Sequence, residues 1–507
     1  MQLSHPNLEP FEPIVEQIND LIFRSGISAL QERGLIRSER DLQGILRSKP
    51  SALRCFIRGV HYGFDSAQRK IGALVIDYEI RARKLRAVIK ELRRQRLRDE
   101  ERAHEVLLAC LANRQVVLRR LVDSILVQLV HNESWILRRT RLSDTISPID
   151  PIVLAKTLQI ASSLNRENRR CIHVVTDLTT AVQVGDLIRL DLDAPMPRRW
   201  EIVELKQGKV NDALIGVLDQ QARGMTPLDT AAIEEKFGGH GVNQARRMLR
   251  QRKREGEIER FRTVDQGIDL KFNMKIDLIP DEVEVRDYYH HLRQACLRAQ
   301  KEQVSAFTLS GCMRIIAVTD SFLRRHGPYA VDRLFLHTKD SNRSANRDAA
   351  NTSGYLWPIT DLVRSNLYGQ WPSPIFMWPM PHEMRFDLVF GRLRLFAQLD
   401  FDEFFSFAKC RGVELEWVRD KDSNPLERRF PILPGPNKSR GIRASLSGSP
   451  AHQVTLLSGF FSRLFLQFMP PVQLLELVRE MITSAKSRSC AGRNDYPSAQ
   501  APEIDPS

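Results

Sequence analysis

Apolar residues recur at helical spacing from about residue 14 to residue 131, and at Cys171 the period drops to that of a strand. That switch constrains the fold more than any other feature. Within the helical stretch, Ile71, Val75, Tyr78, Ala82, Leu85, Ile89 and Leu92 alternate in steps of four and three. Such spacing predicts a coiled-coil-like seam. The other faces carry Arg81, Arg83, Lys84, Arg86, Lys90, Arg93, Arg94, Arg96 and Arg98. They are read either as a solvated face or as a phosphate-tracking one. From about Glu105 to Val130 apolar residues crowd most sides, which predicts a buried helix. Cys171 to Val175, residues 186–192 and residues 200–206 then read as strands, the last two forming a hairpin with a longer loop. Helix resumes near Asp212.

The chain has 507 residues, room for roughly three domains of about 150 residues. No apolar run approaches the roughly 20 residues of a membrane helix, and no secretory pattern opens the chain. No membrane partner is expected. Seven cysteines lie scattered without a CxxC pair, which argues for reduced thiols and a cytoplasmic location rather than disulfides or a zinc site. The net charge of +14 favours a polyanionic partner, nucleic acid first.

Chemistry concentrates at the hairpin. Side chains alternate along a strand, so Glu204 and Lys206 share a face. Antiparallel partners have a constant sum, and a loop centred near residue 195 or 196 sets Asp186 opposite Glu204 or Lys206. Opposed residues lie about 5 Å apart on one face. Two carboxylates that close repel each other unless something neutralises them, and a divalent cation does so. Mg²⁺ suits one or two carboxylates with waters and phosphate oxygens, and Mn²⁺ is a possible substitute. A neighbouring ammonium can stabilise charge on phosphorus.

Gly185-Asp186 followed by Glu204-Leu205-Lys206 on a hairpin between helices resembles the PD-(D/E)xK nuclease superfamily. The resemblance covers roughly residues 115–225, about a fifth of the chain. It implies a restriction-endonuclease-like core in which Asp186 and Glu204 bind metal and Lys206 assists the attacking water. It also implies a further acid from the preceding helix, Asp123 or secondarily Glu133, and a polar residue on the following helix, for which Gln220 stands in the matching place. Asp123 has another reading, a salt bridge to Arg119 or Arg120 on its own helix. No proline precedes Asp186, unlike the family's name motif. Two other acid-x-Lys triplets, ending at Lys236 and Lys271, lack such a hairpin.

The expected fold class is α/β, α+β overall, with a mixed sheet flanked by helices in the core. The expected divisions are a helical, coiled-coil-like basic region at 1–110, the nuclease-like core at 111–225, a basic helical region at 226–280, a mixed α/β region of unknown role at 281–484, and a disordered tail at 485–507. In the third region, residues 245–261 suggest the second helix of a helix-turn-helix, with residues 238–241 (GGHG) as the break. His173 reads as a core histidine, and Asp177 as a turn cap rather than a metal ligand. His290 and His291 have no partner at metal-ligand spacing. Trp357, Trp371 and Trp378 read as packing rather than base-stacking residues. The expected function is Mg²⁺-dependent hydrolysis of DNA phosphodiesters. The alternative is a non-catalytic nucleic-acid-binding or assembly protein that retains the scaffold. Residues 71–92 offer a surface for a second copy or a partner protein.

Overall fold

The computed structural model describes residues 12–130, 137, 140, 148–168, 170–191, 194, 200–205, 230–264, 266–269, 274–277, 287–327, 354–358, 378, 380–389, 391–418, 422, 441–456, 458–466 and 468–490. It divides into two compact units, residues 1–280 with 360–393, and residues 281–359 with 394–507. The described elements are helices and small sheets, α+β overall.

The first unit opens with α1 (Glu12–Glu32), α2 (Leu42–Ser48) and the long α3 (Pro50–Gln95). Pro50 starts α3 where its missing N–H costs nothing. The expected seam is present, with Ile71, Val75, Tyr78, Ala82 and Ile89 buried. Arg96 ends α3 in the left-handed conformation, and α4 (Arg98–Leu129) runs back along it. Acids Asp99, Glu100 and Glu101 fill the first turn of α4, where the helix dipole favours them. The helix expected at 105–130 is buried on all sides only from Val117 onward, because Val106 and Leu107 face solvent.

After α5 (Pro151–Glu167), capped by the Asp150 carboxylate, come β1 (Cys171–Val175), β2 (Leu187–Asp191) and β3 (Trp200–Val203). They form an antiparallel meander in the order β1-β2-β3. A mixed sheet was expected, but no parallel strand joins it among the described residues. The free edge of β1 is closed instead by a side chain: Gln68 of α3 donates to the His173 carbonyl at 2.9 Å and accepts from Val175 N–H at 2.8 Å. One amide thus supplies the two bonds a neighbouring strand would have made.

The expected boundary at 110/111 falls inside α4. The helical region and the sheet are packed as one, through Gln68 and through Gly72, where an added Cβ would lie 2.3 Å from Leu158 Cδ1. His173 is a core histidine: its backbone N–H and ring Nδ1 both reach Asn165 Oδ1, at 2.7 and 3.0 Å. Burial, then the Arg189 charge, pull its pKa below the ordinary value, partly offset by Glu201.

The unit continues with α6 (Thr230–Val264), broken at Gly238, and the hairpin β4 (Gln266–Asp269) and β5 (Met274–Asp277).

In the second unit, α7 (Tyr289–Glu302) packs on β6 (Val304–Leu309) and β7 (Met313–Thr319). These strands share a four-stranded sheet of order β6-β7-β9-β8 with β8 (Gly354–Pro358) and β9 (Leu393–Asp400). A second antiparallel sheet holds β10 (Val413–Val418), β11 (Gly441–Leu446) and β12 (Ser449–Leu456), covered by α12 (Pro471–Cys490). The short helices α8 (Asp320–His326), α9 (His382–Val389), α10 (Phe401–Lys409) and α11 (Ser458–Leu466) complete the described set, α9 lying in the first unit. α12 runs to Cys490, past the boundary expected at 485, and the residues beyond it lie outside the described ones. Trp378 is buried, as a packing residue would be. Trp371 lies outside the described residues. No described helix is long and apolar enough to cross a membrane, and Cys55, Cys110, Cys171, Cys296, Cys312 and Cys410 are free thiols.

Candidate active site

The β2–β3 register pairs Leu187 with Val203, Ile188 with Ile202, Arg189 with Glu201 and Leu190 with Trp200. One step further along, Asp186 stands across from Glu204. Two bonds fix that step: Asp186 N–H donates to the Val203 carbonyl at 3.0 Å, and Leu205 N–H donates to Asp186 Oδ2 at 2.6 Å. By strand alternation Asp186 and Glu204 belong to the face of Ile188, Ile202, Leu190 and Trp200, at the end of that apolar stripe. The other face carries Leu187 and Val203, with the Arg189–Glu201 ion pair at 2.6 Å. Lys206 lies outside the described residues, as do Gln220 and Glu133.

Gly185 sets the approach to Asp186. Its φ is +75°, a conformation that side chains rarely take, and an added Cβ would lie 2.2 Å from Ile202 Cγ2. A glycine is therefore required to bring Asp186 against β3.

The loop between β1 and β2 is buried, and α4 holds it. Arg119 donates to the Thr179 carbonyl through Nε at 2.9 Å and Nη2 at 2.6 Å. Four residues on, one Asp123 oxygen accepts from Thr180 N–H at 2.9 Å and Ala181 N–H at 3.3 Å. The other accepts from the Thr180 hydroxyl and, at 3.4 Å, from Arg120 Nη1. A fully buried carboxylate is tolerable only when its oxygens are taken up in this way. Asp123, the acid expected to join Asp186 and Glu204, is thus committed to the loop, and the alternative salt bridge to Arg120 is present.

A different acid comes close. β1 and β2 pair with a constant sum, and its continuation puts Thr176 against Asp186, with Thr176 N–H donating to the Asp186 carbonyl at 3.1 Å. Asp177 is the next residue. Burial pushes its pKa up, the Arg119 guanidinium opposes this, and the Asp186 charge adds to it. No hydrogen bond reaches the Asp177 carboxylate among the described residues. The cap expected of Asp177 is made instead by Thr179, whose hydroxyl donates to the Thr176 carbonyl at 2.8 Å and accepts from Val182 N–H at 3.0 Å. Burial lowers the pKa of Arg119 to about 10, against the pull of Asp123 and Asp177, so it remains a cation at neutral pH.

The structure therefore brings Asp177, Asp186 and Glu204 to one end of a three-stranded sheet, over a loop clamped by Arg119 and Asp123. Among the described residues no group of three or more His, Cys, Asp or Glu is arranged to hold a metal ion. Comparison with family models, with curated proteins and with solved structures matches this chain to none of them. The site stands on its own geometry. Two signals in the sequence pointed to what was missed. Arg119 and Asp123 sit four apart in a mostly apolar stretch that also holds Arg120 and Ser124, and Asp177 lies two residues beyond the strand that pairs with the Asp186 segment.

Proposed function

We propose that the end of the β1-β2-β3 sheet is the reaction centre of a Mg²⁺-dependent nuclease that hydrolyses DNA phosphodiesters, built on a restriction-endonuclease-like core. The observation that carries this reading is the Asp186–Glu204 opposition, fixed by the Val203 and Leu205 backbone bonds. Two acids at a strand end, neither buried in a core of its own, suit a hard cation that keeps several waters. Asp186 Oδ1 and the Glu204 carboxylate would hold it, and Asp177 adds negative charge behind them. Asp123 is not part of the proposed ligand set, since both its oxygens serve the loop. A bound Mg²⁺ supplies water activation and charge neutralisation at phosphorus.

The chain's own contributions follow from the fold. Leu205 N–H fixes the rotamer of Asp186. Gly185 and the clamped loop keep that carboxylate from retreating. Lys206, two residues beyond Glu204 and of the same parity, is assigned to stabilise charge on the phosphoryl oxygens and to orient the attacking water. Arg119 is too deep and too fully bonded to touch substrate. It acts by positioning the loop. One observation favours the second reading, a binding or assembly protein that keeps the scaffold: the helix acid that would complete the family's site is occupied elsewhere.

The deciding experiment uses the purified full chain on circular and linear DNA, with Mg²⁺ and with EDTA. Degradation is expected in Mg²⁺ only. Lys206→Ala should lose roughly a hundredfold or more in rate, the scale for one preorganised electrostatic group. Equal cleavage by wild type and Lys206→Ala under matched metal would place the activity elsewhere. No cleavage by wild type on either substrate would favour the scaffold reading.

A further inference from the structure

The geometry points to residues 230–277 as a docking element for duplex DNA, in which the second half of α6 lies in the major groove and the β4–β5 hairpin supports it.

α6 is two helical segments that fold back on one another. Gly238, with φ +67° and ψ −178°, breaks the run. Ile233 and Phe237 before the break pack with Val242, Ala245, Met248 and Leu249 after it, in one apolar cluster. At Gly241 an added Cβ would lie 2.3 Å from Phe237 Cβ, so the two segments meet at a corner that only glycine permits. The hairpin then docks on the far end of the second segment, where buried Glu257 accepts from Ile268 N–H at 2.7 Å. Two helices joined by a tight turn, with a strand pair attached, form the kind of unit that presents its second helix to a groove.

That second segment is basic in a particular way. Residues 244–254 hold six Arg or Lys and no Asp or Glu. Arg246 and Lys253 are exposed, Arg254 is half-buried, and none of the three forms an ion pair among the described residues. Arg254 stands on the side of the helix away from buried Val242, Ala245 and Met248, and Arg246 and Lys253, seven residues apart, share a flank about a quarter turn from them. From Arg246 to Arg254 the helix rises about 12 Å. That matches the roughly 12 Å width of the B-DNA major groove, so cations at the two ends can reach phosphates on both sides. Single-stranded nucleic acid asks for aromatic stacking platforms. Residues 244–254 contain no aromatic, and the nearby Phe237 is used in the corner. The surface therefore fits a duplex.

This inference does not rest on cleavage, and its test excludes cleavage. Binding of the full chain to a fluorescent duplex of about three helical turns is followed by anisotropy in EDTA over a range of salt, for wild type and for R246E/K253E/R254E. The R93E/R94E/R96E variant removes the same charge from α3 and controls for net charge. The α6 variant should lose about tenfold or more in affinity at about 100 mM salt, with a salt slope smaller by about two to three. The α3 variant should lose much less. R246Q/K253Q/R254Q, read together with its melting temperature, keeps the test decisive if the reversal variant does not fold. Unchanged affinity and slope in the folded α6 variant, or equal losses from the α6 and α3 variants, would overturn the assignment. Equal loss on the corresponding single strand would overturn the duplex.

Discussion

Asp123 and Asp186 are both acids within the same small sheet and its covering helix, yet they stand in opposite conditions. Asp123 is fully buried and accepts from two backbone N–H groups, a hydroxyl and a guanidinium. Asp186 is half-buried, its carboxylate accepts from Leu205 N–H, and it faces Glu204 with Asp177 behind it. The first arrangement stabilises the fold. The second sets two half-buried acids across from each other at a strand end. Buried charge that is paired and bonded belongs to structure, and charge held half-compensated at an element's end belongs to function.

The sharpest way to break that contrast is Asp123→Ala. It leaves Thr180 and Ala181 N–H without an acceptor and Arg120 without its nearby charge. Stability should fall by about 3–5 kcal/mol, the range for removing one member of a buried pair, as measured by denaturant unfolding. A loss below about 1 kcal/mol would erase the distinction, since that is the scale of an exposed pair.

Asp186→Asn with Glu204→Gln is the counterpart. Stability should hold or rise, by about 1 kcal/mol at most, while Mg²⁺ no longer raises the melting temperature as it should for wild type. Destabilisation on the scale of Asp123→Ala would make these acids structural as well.

Asp177→Asn addresses the acid between the two cases. A carboxyl whose folded pKa is raised above its unfolded value contributes stability below the unfolded value, near 3.8, and loses it as pH rises through the folded value. The Asn variant escapes that loss. Its melting temperature should match wild type below about pH 4 and exceed it at neutral pH, the gap opening as pH rises. A constant gap across that range would mean that Asp177 is not held against its charge.

The smallest effect is expected from Arg93, Arg94 and Arg96 on α3. Arg93 pairs with Glu101 at 2.7 Å and with Glu105 at 3.2 Å, and Arg94 pairs with Glu91 at 3.4 Å. These are exposed pairs of small energy, and the triple reversal should cost about 1 kcal/mol or less in denaturant unfolding. They nonetheless draw this basic helix toward the solvated-face reading, because its cations already have acids beside them. Residues 244–254 have no interleaved acids.

Much of the site was legible in order along the chain. The spacing of Asp186 and Glu204 around a loop centred at 195 is the register that the strands adopt, because pairing in a hairpin follows from loop length and alternation. The break at residues 238–241 was legible too, since glycines there permit a corner that other residues do not. The role of Asp123 was open: its residue type and helical position fit a ligand or a salt bridge equally well. Gln68 as the closing edge of β1 had no signal, because a buried amide that satisfies a strand looks like any polar residue on a long helix.

The sequence by itself determined the periods, the turn positions and the strand register, all of which depend on residues within about twenty positions of one another. Tertiary structure alone decided which acids are spent. Asp123 meets Thr180 across 57 positions and Gln68 meets His173 across 105. Whether a carboxylate is neutralised depends on donors that the chain delivers only once it has folded. Desolvation and hydrogen bonding act over a few ångströms of space, and linear spacing carries no measure of that distance.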